Sequence, residues 1–278
     1  MRGGVLYYAR MQPLLIANWK MNPASVRDAK KVFAGIAASV ARRKQVQVVV
    51  CPPAVYVPEL AKDRRGSKVA LGMQDLFHTD IGAYTGQLSA PMVATYKVEW
   101  AILGHSERRA LGETNELVAE KVRYAISAGI APILCVGEST RTDDGEYYTF
   151  IRTQLETVWS LLKRKDIDTL TIAYEPIWAI GKRAEEACSA AQLFEMQLYI
   201  RKLLIERYGR RIADAVRILY GGAVKADNAA TLVRDGGVHG LLVGSASLSV
   251  KEFTGIMDAV VLEPEVSTAG GKKKRAVR

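Results

Sequence analysis

Three side chains that suit proton transfer follow short apolar runs in the sequence: Lys20, His105 and Glu175. A carboxylate can abstract a proton from a carbon beside a carbonyl group, and an imidazole can polarise and protonate the carbonyl oxygen. A fixed ammonium group lowers the energy of the negative charge that develops on the resulting enediolate. Asn18 adds an amide two residues before Lys20. These residue types would act together only if the fold brings them to one place.

The elements that must position them are eight short runs of mostly apolar, β-branched residues. These runs cover residues 14–18, 46–51, 68–72, 98–104, 131–136, 169–174, 216–220 and 240–244. They are apolar almost throughout, which is typical of strands buried on both faces of a parallel sheet. Amphipathic stretches at 24–41, 113–128, 146–163, 185–208, 226–234 and 251–261 predict helices between them. Residues 72–88 show no such pattern and predict a long loop, a kind of segment that is often functional.

Alternating strands and helices over about 250 residues leave two parallel architectures, a closed barrel and an open doubly wound sheet. An open dinucleotide-binding sheet should carry G-x-G-x-x-G after its first strand, but here that strand runs into Asn-Trp-Lys. We therefore predict an α/β fold of the (β/α)8 type, a single barrel domain over residues 11–262. Residues 1–10 would form a flexible extension and 263–278 a basic, disordered tail. Lys20, His105 and Glu175 then lie at the C-terminal strand ends, where such barrels place their active sites.

Composition and motifs exclude several other classes of function. The net charge is +10, but five of the last seven residues are Lys or Arg, so half of the excess lies in the tail and no nucleic-acid-binding face is expected. No apolar run is long enough to span a membrane. Three widely separated cysteines suit neither a zinc site nor a disulfide framework. The N-terminus lacks the apolar core of a signal peptide, which predicts a cytoplasmic protein.

Each candidate side chain also has a structural interpretation. His105 could be a hydrogen-bonded core histidine, and Lys20 could form a salt bridge at the rim. Glu175 is harder to explain in this way, because burying an ionised carboxylate without a partner is expensive. The other two histidines, His78 and His239, lie in loop-like contexts, where we expect them at the surface.

The sequence closely resembles the triosephosphate isomerase family over roughly residues 11–262. The resemblance lies in Asn-Trp-Lys-Met-Asn at 18–22, Gly-Ala-Tyr-Thr-Gly at 82–86, Ile-Leu-Gly-His-Ser-Glu-Arg-Arg at 102–109, Cys-Val-Gly-Glu at 135–138, Ala-Tyr-Glu-Pro-Ile-Trp-Ala-Ile-Gly at 173–181 and Tyr-Gly-Gly at 220–222. It implies the TIM barrel and a glycolytic and gluconeogenic isomerase that needs no metal or organic cofactor.

The resemblance also implies how these residues act on a small phosphorylated sugar. Glu175 would shuttle a proton between C1 and C2 of a triose phosphate, and His105 would act as a neutral electrophile, its cation disfavoured by the following helix start. Lys20 would stabilise negative charge and Asn18 would help to bind the substrate. The segment after Glu175 would be a lid, with 176–178 as its first hinge, that closes over the phosphate and excludes water.

The chain departs from the family pattern around the phosphate. The substrate-binding positions implied there are Gly181, Ala223, Gly244 and Ser245, beside Asn18 and Lys20. Ala223 replaces a serine, which removes a hydroxyl, and Ser245 replaces a glycine, which restricts the backbone. Gln87 replaces a glutamate after the Thr-Gly pair.

The lid itself also differs, because Lys182 and Arg183 follow Gly181 where the family has Thr-Gly. Two hypotheses follow. The lid could close less cooperatively, or Lys182 or Arg183 could supply a charge-assisted contact to the phosphate that offsets the loss.

Self-association and two alternative functions complete the expectations. Thr85 lies in the long loop that, in this family, inserts into a neighbouring subunit beside the position of Lys20, which predicts a homodimer. One alternative function is isomerisation of a related sugar such as a tetrulose phosphate, since the lid is altered. The other is a non-catalytic phosphate-binding scaffold.

Overall fold

Eight parallel strands close into a barrel in the computed structural model of the chain, hydrogen-bonded in chain order. The structure describes residues 11–64, 66–142, 144–180 and 187–261. The strands are β1 Leu14–Asn18, β2 Gln47–Cys51, β3 Ala70–Met73, β4 Trp100–Leu103, β5 Ala131–Val136, β6 Thr171–Tyr174, β7 Arg217–Tyr220 and β8 Gly240–Val243. β8 pairs back onto β1, with Leu15 opposite Leu241. The predicted (β/α)8 barrel is confirmed.

Ten described helices surround the barrel. They are α1 Val26–Ala41, α2 Val57–Asp63, α3 Ala90–Ala94, α4 Ser106–Ala110, α5 Asn115–Ser127, α6 Glu146–Ser160, α7 Ala190–Tyr208, α8 Arg210–Ala215, α9 Ala229–Arg234 and α10 Val250–Val261. Three of the longer ones begin at polar caps: Ser25, Thr114 and Ser189 each accept a hydrogen bond from a backbone N–H of the first turn. Sequence patterning missed α2, α3, α4 and α8, because helices of five to seven residues are too short to show a period.

The strands are buried on both faces, as their apolar sequences predicted. One set of side chains fills the barrel interior, among them Ile16, Ile102 and Leu219, and the opposite faces pack against the helices. The interior is therefore a packed core, and the strand ends are the only parts of the strands that can present polar side chains.

The third strand, which was expected at 68–72, begins two residues later than predicted. Pairing with β2 begins at Ala70, which lies opposite Val49, so Lys68 and Val69 precede the strand. Between β3 and α3 the described chain has no helix or strand, in agreement with the expected loop. The expected extension 1–10 and the tail 263–278 lie outside the described residues, so those boundaries stay predictions. The helix expected over 185–208 begins later than predicted, at Ala190, because the Ser189 side chain caps its first turn.

The expectation that His239 lies at the surface is wrong. His239 is 6% exposed, and its Nδ1 atom lies 3.1 Å from the backbone N–H of Ile218, which donates to it. Its own backbone N–H donates to the Ile218 carbonyl, because His239 directly precedes β8 and is drawn in beside β7. Burial lowers the pKa of His239 to about 4. His78 is half-buried.

No helix in the described part of the chain is long and apolar enough to cross a membrane.

Candidate active site

Lys20, His105 and Glu175 meet at the C-terminal rim of the barrel, just beyond β1, β4 and β6. The Nε2 atom of His105 lies 3.2 Å from Oε1 of Glu175. His105 and Glu175 are 7% and 2% exposed, whereas the Lys20 side chain keeps about a third of its surface. The fold thus brings together the three residues that could transfer a proton.

The first turn of α4 contacts all three of these side chains. His105 is the N-cap residue of this helix, and the backbone N–H of Glu107 donates to its Nδ1 atom at 3.2 Å. The backbone N–H of Ser106 donates to Oε2 of Glu175 at 3.0 Å. The Glu107 carboxylate accepts from the ammonium group of Lys20 at 2.6 Å. One short helix therefore sets the relative positions of acid, base and cation.

The hydrogen bonds of His105 define its tautomer. Because Nδ1 accepts a backbone N–H, the ring proton belongs on Nε2, which faces the Glu175 carboxylate. A neutral ring with its proton on Nε2 can donate to an oxygen atom placed in the site.

Burial raises the pKa of the Glu175 carboxyl group above its ordinary value, because the charged form loses its hydration. The Ser106 hydrogen bond, the Cys135 thiol and the charges nearby lower this pKa in part without cancelling the effect of burial. A raised pKa makes a carboxylate a stronger base, which suits proton abstraction from carbon.

Lys20 is held in a backbone conformation that favours glycine, with φ of 52°. Two side chains stabilise it there. The Oδ1 atom of Asn18 accepts from the Lys20 backbone N–H at 3.0 Å, and Nε2 of Gln74 donates to the Lys20 carbonyl at 2.8 Å. Sequence reasoning included Asn18 but missed Gln74, whose partner is 54 residues distant in the chain.

Two glycines make room for Glu175. A Cβ atom at Gly137 would lie 1.8 Å from the Glu175 carbonyl oxygen, and one at Gly221 would lie 2.8 Å from the Glu175 Cγ atom. The chain therefore needs glycine at both places for the base to adopt this position. Both belong to motifs noted in the sequence, Cys-Val-Gly-Glu and Tyr-Gly-Gly, but neither was predicted as a site residue.

The segment after Glu175 is tied to Glu138, which is 2% exposed. Oε1 of Glu138 accepts hydrogen bonds from the Tyr174 hydroxyl and from the Trp178 indole N–H, both at 2.8 Å. The backbone N–H of Ile177 donates to the Glu138 carbonyl at 3.0 Å. These bonds fix the first hinge of the expected lid. Gly181, Lys182 and Arg183 lie outside the described residues.

The expected phosphate-binding positions flank this rim. A Cβ atom at Gly244 would lie 3.5 Å from Cε of Lys20, and Gly244 precedes the short 3-10 helix Ser245–Leu248. Ala223 is half-buried after β7, and its carbonyl accepts from the Asn228 amide at 3.0 Å. Thr85 is exposed in the loop between β3 and α3. Within the described chain, no group of three or more His, Cys, Asp or Glu side chains is arranged to hold a metal ion.

Comparison with known proteins agrees with this geometry. A family model described as triosephosphate isomerase matches residues 13–260. A relative named triosephosphate isomerase from Methylococcus capsulatus is 40% identical over 254 residues, which span 90% of this chain and 98% of the relative. Proteins of the same name from Alkaliphilus oremlandii and Hahella chejuensis are 39% and 41% identical, each over 89% of this chain and over 99% and 98% of their own lengths.

Proposed function

Because the chain belongs to the triosephosphate isomerase family, we propose that it interconverts dihydroxyacetone phosphate and D-glyceraldehyde 3-phosphate through an enediolate, as in glycolysis and gluconeogenesis. The observation that carries the proposal is the joint placement of Lys20, His105 and Glu175 around the first turn of α4. The reaction moves one proton between adjacent carbons and one between adjacent oxygens, so it needs a base, an acid and a positive charge.

Glu175 is the base in this proposal. It removes a proton from one carbon of the substrate and returns it to the neighbouring carbon. The carboxylate must first leave its contact with His105, since no substrate carbon fits between atoms 3.2 Å apart. The side chain rests on Gly221, which leaves it space to move towards the substrate.

His105 and Lys20 stabilise the oxygen atoms. The Nε2–H group of His105, released from Glu175, donates to the carbonyl oxygen and helps to move a proton between the two oxygens. The Lys20 ammonium group lowers the energy of the negative charge on the enediolate, and the free amide nitrogen of Asn18 is available to bind the substrate. No cofactor is required for these steps.

Backbone groups at the ends of β7 and β8 form the phosphate subsite. Gly244 lies beside Lys20, so a phosphate there would gain both backbone N–H donors and a nearby cation. Ala223, Ser245 and Gly181 complete this subsite. The lid closes over the phosphate and excludes water, which protects the enediolate from losing its phosphate.

We also propose that the protein works as a homodimer in the cytoplasm. Large apolar side chains are strongly exposed near the rim, including Met21 at 94% and Ile81 at 91%, and Thr85 lies in the same loop as Ile81. A second copy would cover these side chains. The three cysteines are free thiols, which suits a reducing compartment.

A coupled assay of the purified protein with both triose phosphates tests the proposal. We expect turnover in both directions and its near-complete loss in Glu175→Gln; activity retained in that variant would overturn the role of Glu175. Tetrose phosphates in the same assay separate the proposed substrate from a tetrulose phosphate, and absence of any turnover would favour a scaffold. Neither alternative is favoured by the family assignment. Lys182→Ala and Arg183→Ala, measured separately, test whether either residue contacts the phosphate through a lower kcat/KM.

A further inference from the structure

The segment 74–89, which we call the arm, is folded back on itself within one chain. The backbone N–H of Phe77 donates to the Leu88 carbonyl at 2.9 Å, which closes the base of the arm. The Phe77 ring packs against the Tyr84 ring, with centroids 4.6 Å apart. The arm contains no helix or strand, so these few contacts and its attachment to the barrel determine its shape.

Two residues of α5 attach the arm to the barrel, one helical turn apart. Lys121, 1% exposed, donates to both carboxylate oxygens of Asp75, at 2.7 and 2.8 Å. The Tyr124 hydroxyl donates to the carboxylate of Asp80. Because positions i and i+3 share one face of a helix, the two bonds hold successive parts of the arm against the same surface.

The bond from Lys121 to Asp75 is the inner attachment and the bond from Tyr124 to Asp80 is the outer one, and they differ in their surroundings. Lys121 also pairs with Glu113 at 2.5 Å, and Arg108 reaches Asp75 at 3.1 Å, so the inner bond belongs to a buried ionic cluster. The outer bond joins the half-buried Tyr124 to the exposed Asp80 and contacts none of the residues assigned to chemistry. Asp80 directly precedes Ile81, whose side chain is 91% exposed. Removing the Tyr124 hydroxyl would therefore loosen the outer arm and leave the cluster intact.

We propose that the bond from Tyr124 to Asp80 fixes the arm in the shape that a second copy of this chain binds, which makes Tyr124 a positioning residue for dimerisation and not for catalysis. The inference rests on the homodimer of the proposed function. When a loop must be in one shape to bind, the apparent dissociation constant equals the intrinsic constant divided by the fraction of molecules in that shape. A symmetric dimer engages two arms, so its dissociation constant is divided by the square of this fraction. A threefold loss of competent arms raises the dimer dissociation constant by about ninefold.

The test compares the full-length protein with Tyr124→Phe by sedimentation equilibrium and by activity at increasing protein concentration. We expect the dissociation constant of the dimer to rise by about ninefold, while kcat per subunit at saturating protein concentration stays unchanged. Tyr199→Phe is the matched control, because Tyr199 lies on α7 and its hydroxyl donates to the Tyr148 carbonyl of α6 at 3.1 Å, away from the arm. In an Asp80→Ala background, Tyr124→Phe should have no further effect.

The outcomes separate the role of Tyr124 from the existence of the dimer. A dissociation constant that Tyr124→Phe leaves within twofold of the wild-type value, or that Tyr199→Phe raises equally, overturns the role of Tyr124. A wild-type protein that is monomeric and fully active at every concentration overturns the dimer itself. In that case, amide hydrogen exchange at Tyr84, whose N–H donates to the Gly82 carbonyl in the outer arm, still tests the attachment: exchange that is no faster in Tyr124→Phe than in the wild type contradicts it.

Discussion

The Nε2 atom of His105 lies 3.2 Å from the Oε1 atom of Glu175. The sequence led us to expect both groups at the C-terminal strand ends, and the structure adds that their polar atoms are immediate neighbours. A bound substrate must replace this contact with one from its carbonyl oxygen to His105 and one from its carbon-bound hydrogen to Glu175. The site therefore exchanges one set of contacts for another, which limits the cost of separating two buried polar groups.

Shortening the base should reduce the rate far more than the affinity. Glu175→Asp withdraws the carboxylate by one methylene, roughly 1.5 Å, so we expect kcat to fall about a hundredfold with KM little changed. The coupled assay in both directions measures the effect. A fall of less than threefold would mean that another group removes the proton.

The raised pKa of Glu175 predicts how the free protein titrates. The base is active only when ionised, so its activity is present above the raised pKa and is lost as the pH falls through it. The phosphate group of a substrate also titrates, near pH 6, the approximate second pKa of a phosphate ester. The pH dependence of the rate alone therefore cannot assign a titration to Glu175. Burial also raises the pKa of Glu138, so we expect 13C NMR of labelled glutamate to show two carboxyl groups titrating above the ordinary value of about 4.3, and Glu175→Gln to remove one of them. Titration of this group at or below the ordinary value would contradict the structure.

Gly221→Ala should move the base without unfolding the protein. The new methyl group would lie 2.8 Å from Cγ of Glu175, so the carboxylate must shift by several tenths of an ångström. We expect kcat to fall by at least about tenfold while the melting temperature changes little. In the Glu175→Asp background, the same substitution should reduce kcat by a smaller factor, because the shorter side chain can avoid the methyl group. Equal factors in both backgrounds would show that Gly221 acts in some other way.

His239 should make the folded protein less stable in acid. Its pKa is about 4 when folded and about 6.5 when unfolded, so between these values the unfolded chain binds the extra proton. Stability is therefore complete above pH 6.5 and is lost as the pH falls towards 4, by up to roughly 3 kcal/mol for this one group. Urea unfolding at fixed protein concentration should show a smaller loss in His239→Asn, whereas His78→Asn serves as the control for removal of a histidine. Identical pH dependence in His239→Asn and the wild type would refute this.

The barrel and its three central residues could be predicted from the sequence because both rest on local patterns. Apolar runs identified all eight strands, and the polar residues just beyond three of them identified Lys20, His105 and Glu175. Gln74 could not be found in this way, since its partner, the Lys20 carbonyl, is brought near only by barrel closure. Gly221 has no side chain to suggest a function, and its importance lies in the space it leaves. His239 was misplaced because a residue between two elements looks like part of a loop even when it is packed beneath the next strand.

The five-residue helix α4 has a consequence for how this protein can change. Its first turn contacts His105, Glu175 and Lys20. The residues that would bind the phosphate come instead from segments after β6, β7 and β8. We expect substitutions in those segments, such as Lys182 and Arg183 in the segment that we propose as a lid, to alter which sugar is preferred without disturbing proton transfer. A shift of α4, by contrast, would displace all three reactive groups at once, so variation is expected to accumulate on the recognition side of the rim.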